Sequence, residues 1–262
     1  MITNLRYADD IILLATSEAE LQELVDRLDR VSRKYSLLIN VDKTKVMASD
    51  GIACRMLIQN KLLEQVDTFP YLGSLITEDG ECTTEFRTRL NRGQAIEAAL
   101  QKILKSHNIP ISTKIRLMKA LVWPVATYGC ESWTLRKNEE THLDAFMTKG
   151  LGRMLRVSWT AEKTNEWVFN KAGVKRELLD TVKARKQAYY GHTMRKQVSC
   201  LEKEIMQGTM PGARRRGRPR TAWMDIKTWT GLSVEESIRM TEDRDKWRKY
   251  VHGVANPRID DG

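Results

Sequence analysis

Two adjacent aspartates, Asp9 and Asp10, stand between two short apolar segments near the start of the sequence. Residues 5–8 and 11–14 have the length and composition of short strands, so the pattern predicts a β-hairpin with both carboxylates at its tip. Carboxylates held this close repel each other unless a cation neutralises them, and Mg²⁺ prefers such oxygen ligands while leaving room for substrate phosphates. The pattern therefore predicts a two-metal phosphoryl-transfer site. An ordinary acidic turn is the alternative, because Asp is common in hairpin turns.

The composition argues against several other classes of protein. Hydrophobic residues make up 41% of the 262 residues, which is enough for a sizeable core. The four cysteines are far apart and form no CxxC pair. This spacing argues against a compact zinc site and favours reduced thiols in an intracellular protein. No apolar run approaches the roughly 20 residues of a membrane span, so we expect no membrane partner.

The charge is unevenly distributed along the chain. Residues 1–100 carry 12 Lys and Arg against 16 Asp and Glu, whereas the remaining residues carry 32 against 18. The strongly basic second part favours a polyanionic partner, although a merely solubilising surface would give the same composition. Four cations clustered over one helical segment predict a basic face there, with a solvated helix as the alternative: Lys183, Arg185, Lys186 and Arg195.

The periodicity of the sequence changes near residue 83. Ser17 and Glu20 have the spacing of a capping box before a helix with one apolar face. Short strands are predicted at residues 37–40 and 44–47, and a hairpin at residues 69–76. From Thr83 onward helical periodicity dominates, with a helix over residues 114–122 that ends near Pro124 and a last helical pair over residues 221–229 and 234–251. The sequence therefore predicts an α+β fold, with small strands first and helices afterwards.

The order of these motifs resembles the reverse transcriptases of non-LTR (LINE-type) retrotransposons, especially RTE-like and jockey-like elements. YADD at residues 7–10 resembles the catalytic motif of their palm, and INVDKTKVM at residues 39–47 resembles the following palm motif. FPYLGS at residues 69–74 resembles the segment that grips the primer end. Further along, YGCESWTL at residues 128–135 is similar to a thumb pattern, and short stretches around residues 190–195, 216–223 and 243–248 resemble the family's C-terminal tail.

The resemblance assigns roles to individual residues. Asp9 and Asp10 would bind catalytic Mg²⁺, Tyr7 would lie against the primer–template end, and Ala8 would leave space for the sugar–phosphate. Lys43 would donate a proton to the leaving pyrophosphate. From its spacing alone, a solvated loop lysine is the stronger interpretation of Lys43.

Tyr71 and Gly73 would help to hold the primer terminus. Their alternative interpretation is a packed hairpin that needs a glycine in its turn. The resemblance implies partners that include an RNA template, a DNA primer or target DNA, and dNTP substrates.

The resemblance also implies that parts of the polymerase site are missing from this sequence. The family's site needs another aspartate, from a strand far upstream of YADD, together with fingers and a template-binding motif. We therefore expect a C-terminal fragment of an RNA-directed DNA polymerase that is inactive by itself, since phosphoryl transfer depends on complete clamping of the triphosphate. The expected parts are a partial palm (residues 1–80), a helical thumb-like region (81–135), a helical C-terminal region (136–207) and a basic linker with a short helical tail (208–262).

A second candidate site is the Gly-, Pro- and Arg-rich segment near residue 215. Its RGRP core resembles an AT-hook, whose narrow backbone lets arginines enter an A·T minor groove. A disordered basic linker or a nuclear-localisation signal is an equally good interpretation. The predicted DNA-binding residues are Arg214, Arg215, Arg216, Arg218 and Arg220.

Two other functions stay open on the sequence alone: a nucleic-acid-binding module without catalysis, and an inert transposon relic. The sequence predicts an intracellular, nuclear protein. Trp223 and Trp229, which lie in the helix predicted after the basic segment, are interpreted as core residues rather than stacking platforms. The lone His192 is interpreted as structural.

Overall fold

The computed structural model of the chain describes residues 3–157, 161, 163–196, 200–207 and 224–255. The fold is α+β, with small strand pairs followed by helices, which confirms the predicted fold class. Two compact units divide the chain: an N-terminal unit, Met1–Glu81, and a C-terminal unit, Cys82–Gly262. Among the described helices, none combines the length and the apolar character that crossing a bilayer requires. The predicted DNA-binding residues Arg214, Arg215, Arg216, Arg218 and Arg220, like Trp223, lie outside the described residues.

Over residues 3–81, the strands of the N-terminal unit form four separate two-stranded sheets. Three of these are antiparallel hairpins closed by two-residue turns, pairing β1 with β2, β4 with β5, and β7 with β8. The fourth pairs β3 with β6 in parallel. The strand bounds are β1 Asn4–Tyr7, β2 Asp10–Leu13, β3 Lys45–Val46, β4 Leu57–Ile58, β5 Lys61–Leu62, β6 Glu64–Gln65, β7 Thr68–Tyr71 and β8 Ser74–Thr77.

Helix α1, Glu18–Lys34, begins at the predicted cap. The Ser17 hydroxyl accepts a hydrogen bond from the Glu20 N–H at 3.2 Å. The Glu20 carboxylate reaches one residue further back than in a standard capping box, because it accepts from both the N–H and the hydroxyl of Thr16 at 2.9 Å. These bonds lower the pKa of Glu20. The apolar face of α1 packs through Val25 into a small core whose other buried members are Val46, Met56, Ile58 and Leu63.

The strand predicted at residues 37–40 is wrong. The N–H of Leu37 donates to the Ser32 carbonyl at 3.0 Å, so the chain folds back onto the end of α1 through Ser36, whose φ is 58°. The Asn40 carbonyl then accepts from the Thr44 N–H at 3.0 Å and starts a turn. Because these backbone groups bond within turns, the segment joins none of the described sheets. The neighbouring prediction at residues 44–47 is confirmed as the shorter strand β3.

The C-terminal unit is helical in its described parts. One large core is shared by α2 to α8, and includes Phe86, Trp133, Leu143, Phe146 and Leu178. A second cluster joins α8 and α12 through Tyr190, Met194, Trp247 and Val251, and Ile238 and Met240 of α11 pack against it. The helix bounds are α2 Thr83–Ala99, α3 Gln101–Leu104, α4 Ile111–Leu117, α5 Trp123–Ala126, α6 Lys137–Leu155, α7 Asn165–Ala172, α8 Glu177–Met194, α9 Leu201–Gln207, α10 Met224–Thr230, α11 Val234–Glu242 and α12 Arg244–Ala255.

Pro124 does not end the helix that was predicted over residues 114–122. A five-residue π-helix, Met118–Val122, connects α4 to α5, and Pro124 lies in the first turn of α5. Pro is tolerated in a first turn because its missing N–H is not needed there. Residues 234–251 were predicted as one helix but form α11 and α12, which are separated at Asp243.

Candidate functional site

The hairpin β1–β2 places Tyr7, Ala8, Asp9 and Asp10 at one tip. Tyr7 and Asp10 are the last paired residues, and Ala8 and Asp9 form the turn between them. Directly opposite residues of an antiparallel pair project from the same face, so the Tyr7 ring and the Asp10 carboxylate share one face of the hairpin. The Tyr7 side chain is 64% exposed, and both aspartates are exposed. The tip therefore presents an aromatic ring and two carboxylates to solvent.

The turn is held in an uncommon backbone conformation. Ala8 has φ of 52°, which a two-residue hairpin turn requires but which a side chain disfavours. Strained backbone of this kind persists only where the surrounding structure holds it, and it is enriched at active sites and ligand clamps. The hairpin is closed at its other end by the Leu14 N–H, which donates to the Thr3 carbonyl at 2.8 Å. The turn therefore projects Asp9 from a hairpin that is bonded along its length.

The donor chemistry of this tip fits a hard divalent cation. Mg²⁺ is usually bound by one or two carboxylates, and water and substrate phosphates complete its octahedron. Asp9 and Asp10 supply two such groups, both accessible. Within the described part of the chain, no group of three or more His, Cys, Asp or Glu side chains has an arrangement that could hold a metal ion.

Lys43 lies in the turn between α1 and β3. The Asn40 side-chain carbonyl accepts a hydrogen bond from the backbone N–H of Lys43 at 3.1 Å, which fixes the main chain. The Lys43 side chain is exposed. The ammonium of Lys45, two residues on in the same motif, instead lies 2.6 Å from the Glu64 carboxylate on the strand beside it. Lys45 is therefore the structural lysine of the pair, and Lys43 is the one that faces solvent.

Tyr71 and Gly73 lie at the tip of the hairpin β7–β8. Leu72 and Gly73 both have positive φ, of 48° and 80°, which is the geometry of the mirror-image turns that favour glycine. Tyr71 is half-buried and is the last residue of β7. The hairpins β7–β8 and β1–β2 belong to different sheets. Tyr71 and Gly73 therefore share one hairpin tip, whereas Tyr7, Asp9 and Asp10 share the other.

The basic face predicted on α8 is divided between core and surface. Lys186 is fully buried and donates to the Trp133 carbonyl, and Lys183 forms an ion pair with Glu140 at 3.0 Å. The ammonium groups of Lys183 and Lys186 lie over the Trp229 ring, at 5.3 Å and 5.7 Å from its centroid respectively. Trp229 packs against the large core, as expected for a structural tryptophan. Arg185 and Arg195 remain exposed on the other side of α8.

Sequence reasoning missed a group of cations outside α8. Arg244 and Arg248 on α12 line the same cleft as Arg185, Arg195 and His192. Their spacing of four residues was visible in the sequence and places both on one helical face. What the sequence did not contain is the packing of α12 against α8, which brings residues about 60 positions apart into one cleft.

Comparison with known proteins adds two matches. Residues 1–76 match the family described as reverse transcriptase (RNA-dependent DNA polymerase). A transposon-derived protein of Caenorhabditis elegans is 29% identical over 214 residues, which cover 74% of this chain and 72% of that protein. No solved structure matches the chain. The two matches support a reverse transcriptase of transposon origin, and the family match covers the hairpin β1–β2 and most of the N-terminal unit.

Proposed function

We propose that this chain is part of the RNA-directed DNA polymerase of a non-LTR retrotransposon, which copies RNA into DNA at a nicked chromosomal target in the nucleus. The observation that carries the proposal is the exposed tip of the hairpin β1–β2, where two carboxylates and a tyrosine lie within a segment that matches the reverse transcriptase family. The partners of this activity are an RNA template and a DNA primer or target, with dNTPs as substrates.

In this proposal Asp9 and Asp10 hold Mg²⁺, the cation for which their donor chemistry is suited. When bound, the metal supplies charge stabilisation for phosphoryl transfer. Tyr7 offers its exposed ring to the primer–template end beside the metal ligands. Ala8 keeps the turn free of bulk, so that the sugar–phosphate can approach the backbone.

Two further elements complete the proposed site. The exposed Lys43 ammonium is the proton donor for the leaving pyrophosphate, on a turn whose main chain Asn40 fixes. Tyr71 and Gly73 hold the primer end from the tip of β7–β8. These assignments follow the motif order of the family, and the accessible position of each hairpin tip and turn supports them.

We further propose that the chain by itself does not extend a primer. Phosphoryl transfer relies on metal ions and cationic groups that clamp the triphosphate on several sides. The hairpin contributes two carboxylates, and in the described part of the N-terminal unit β1–β2 pairs only with itself. A primer-extension assay with the purified chain, Mg²⁺, an RNA template, a DNA primer and dNTPs tests this directly. Template-dependent product would overturn it.

Metal binding tests the site itself without relying on activity. Mn²⁺ binding to the full chain with an RNA–DNA primer–template is measured by water-proton relaxation. We expect Asp9→Asn to weaken Mn²⁺ binding about tenfold or more, because it removes a charged ligand. Asp67→Asn is the matched control, since Asp67 is an exposed aspartate beside β7 in the same unit. Equal affinities in the two variants would reject the hairpin as the metal site.

A further inference from the structure

A cleft of about 1080 Å³ lies within the C-terminal unit, between α8 and α12. Lys119 of the π-helix and Lys175, which precedes α8, extend its wall. The cleft is unusual for its charge: six Lys and Arg side chains line it, against two acidic ones, Glu177 and Asp180. The six cations are all exposed: Lys119, Lys175, Arg185, Arg195, Arg244 and Arg248.

Small side chains of α8 form the floor of the cleft. Thr181, Ala184 and Ala188 recur at a spacing of three to four residues and therefore lie along one side of the helix. The opposite wall is fixed, because the indole N–H of Trp247 donates to the Gln187 carbonyl at 2.9 Å. Trp247 is 2% exposed and Val251 is 5% exposed, so the wall offers little apolar surface. The cleft is thus an open trough with a small-residue floor and charged rims.

The two acidic residues do not neutralise the cleft. The Glu177 carboxylate is already paired with the Lys119 ammonium. Burial raises the pKa of Asp180, although Lys183 opposes this shift. Apart from this Lys119–Glu177 pair, the cleft is lined by five Lys and Arg side chains and one carboxylate, that of Asp180. A concave surface lined mainly by one sign of charge concentrates the electric field.

The cations of the cleft fall into two sets. Arg185 and Arg195 are oriented by the protein, because they donate to the Thr127 hydroxyl at 2.9 Å and to the Thr241 carbonyl at 3.0 Å. Within the described ranges, Lys175, Arg244 and Arg248 take part in no ion pair. A site with oriented arginines on α8 and available cations on the opposite rim suits a ligand that carries several anionic groups.

We propose that this cleft binds the phosphodiester backbone of a nucleic acid. Arg is suited to phosphate because its planar guanidinium donates two parallel hydrogen bonds. From Thr181 to Met194, its last residue, α8 runs for about 20 Å at 1.5 Å per residue. This length corresponds to roughly six base-pair steps along the axis of duplex DNA, at about 3.4 Å each. Since the lining residues hold phosphates rather than base edges, the cleft binds without sequence preference.

A lipid surface would need different chemistry. Membrane-surface sites combine cations with exposed aromatic or aliphatic residues that enter the bilayer. The large apolar residues lining the cleft, Trp247 and Val251, are buried. The cleft goes beyond the polymerase proposal, because it assigns a nucleic-acid surface to the C-terminal unit whether or not the hairpin of the N-terminal unit is catalytic.

The test compares two charge-matched triple variants of the full chain. The cleft variant carries Lys175→Gln, Arg244→Gln and Arg248→Gln. The control carries Lys171→Gln, Lys246→Gln and Lys249→Gln, which removes the same charge from exposed residues near the cleft that do not line it. Arg214, Arg215, Arg216, Arg218 and Arg220 are unchanged in both, so their contribution cancels. Circular dichroism verifies that both variants are folded.

Fluorescence anisotropy then follows labelled 20-nucleotide single-stranded DNA and 20-base-pair duplex DNA between 50 and 300 mM KCl. We expect the cleft variant to bind about tenfold or more weakly at low salt. The slope of log Kd against log salt should fall by about 2–3, because each lost phosphate contact removes about 0.7–0.9. The control should keep the slope of the unmodified chain.

Two results would overturn the proposal. If both triple variants lose the same affinity and slope, net charge rather than the cleft governs binding. If the cleft variant keeps nucleic-acid affinity but loses binding to vesicles of 30% phosphatidylserine, the cleft serves a lipid surface. Neither result bears on metal binding by Asp9 and Asp10, so failure here is distinguishable from failure of the polymerase proposal.

Discussion

Gly191 of α8 lies directly beneath the Trp247 ring of α12. A Cβ atom placed on Gly191 would overlap the Trp247 Nε1 and Cδ1 atoms and would approach the Arg195 guanidinium at 3.2 Å. The close approach lets the Trp247 indole donate to the Gln187 carbonyl one turn earlier on α8. The lack of a side chain at Gly191 therefore allows α8 and α12, the two helices that form the basic cleft, to pack at this short distance.

The first prediction is that Gly191→Ala destabilises the C-terminal unit by about 1–3 kcal/mol, the usual cost of overpacking a filled contact. Urea unfolding followed by circular dichroism measures the change. Gly152→Ala on α6 is the control, because nothing lies within 4 Å of its added Cβ. There the higher helix propensity of Ala should stabilise by about 0.5–1 kcal/mol. A neutral Gly191→Ala would mean that α12 is not packed on α8 as described.

A second prediction concerns Glu97, a carboxylate 2% exposed between α2 and α6. Burial raises the pKa of Glu97, although Arg153, whose Nη1 lies 2.9 Å from Oε1, opposes the shift. A raised carboxyl pKa favours the folded state fully below the unfolded value near 4.5, and this contribution is lost as pH rises through the folded value. The unfolding free energy should therefore fall with rising pH on account of Glu97.

Glu97→Gln should remove that dependence. We expect the variant to match the parent in stability near pH 4 and to become the more stable of the two as pH rises above the unfolded pKa, with the difference levelling off once pH exceeds the folded pKa of Glu97. Urea titrations at several pH values provide the measurement. Glu242→Gln, at an exposed position on α11, is the charge-matched control. A less stable Glu97→Gln at pH 8 would show that the Arg153 pair outweighs burial.

Local signals allowed much of the N-terminal unit to be predicted. Ser17, with Glu20 three residues on, marked the start of α1, because capping depends on neighbouring backbone groups alone. The Leu72–Gly73 turn was equally local. The same reasoning gave a wrong strand at residues 37–40. An apolar run forms a strand only if its backbone pairs with another strand, and here Leu37 and Leu38 are 64% and 75% exposed.

The site was predictable in part for the same reason. The tip with Asp9 and Asp10 arises from one hairpin, so adjacent residues determine it. The cleft between α8 and α12 depends on Trp247 meeting Gln187, 60 residues away, and no local pattern encodes that meeting. Likewise Lys186 appeared to belong to a surface basic stretch, yet it is a buried donor to Trp133.

A third prediction concerns the reactivity of the Cys130 thiol. Burial raises the pKa of the Cys130 thiol to about 12, with the Glu131 charge adding to the shift and the Arg185 and Lys186 charges opposing it. At pH 8 its thiolate fraction is then about 1 in 10⁴, and the thiolate is the reactive form. Cys130 should therefore resist a disulfide reagent such as Ellman's reagent in the native chain and react only after unfolding.

Two variants assign the reactive thiols. Cys130→Ala should leave the native count of fast-reacting thiols unchanged and lower the count in guanidinium by one. Cys200→Ala is the comparison, because Cys200 is half-buried and should contribute to both counts. A lower native count in Cys130→Ala would show that its thiol is accessible.

The last prediction tests the turn that presents the two aspartates. Ala8 holds φ of 52°, a conformation that costs a residue with a Cβ about 1–2 kcal/mol. Glycine removes that cost but loses more entropy on folding, by about 0.5–1 kcal/mol. We therefore expect Ala8→Gly to stabilise the hairpin by about 0.5 kcal/mol, the difference between the two effects.

The readout is the amide exchange of Leu14, whose N–H donates to the Thr3 carbonyl and opens only when the hairpin does. A gain of about 0.5 kcal/mol should slow its exchange two- to threefold. Ala19→Gly, at an exposed position in the first turn of α1, should weaken that helix and leave Leu14 unaffected. Faster Leu14 exchange in Ala8→Gly would mean that the alanine is not strained. The positive φ would then carry no free-energy cost at the tip that holds Asp9.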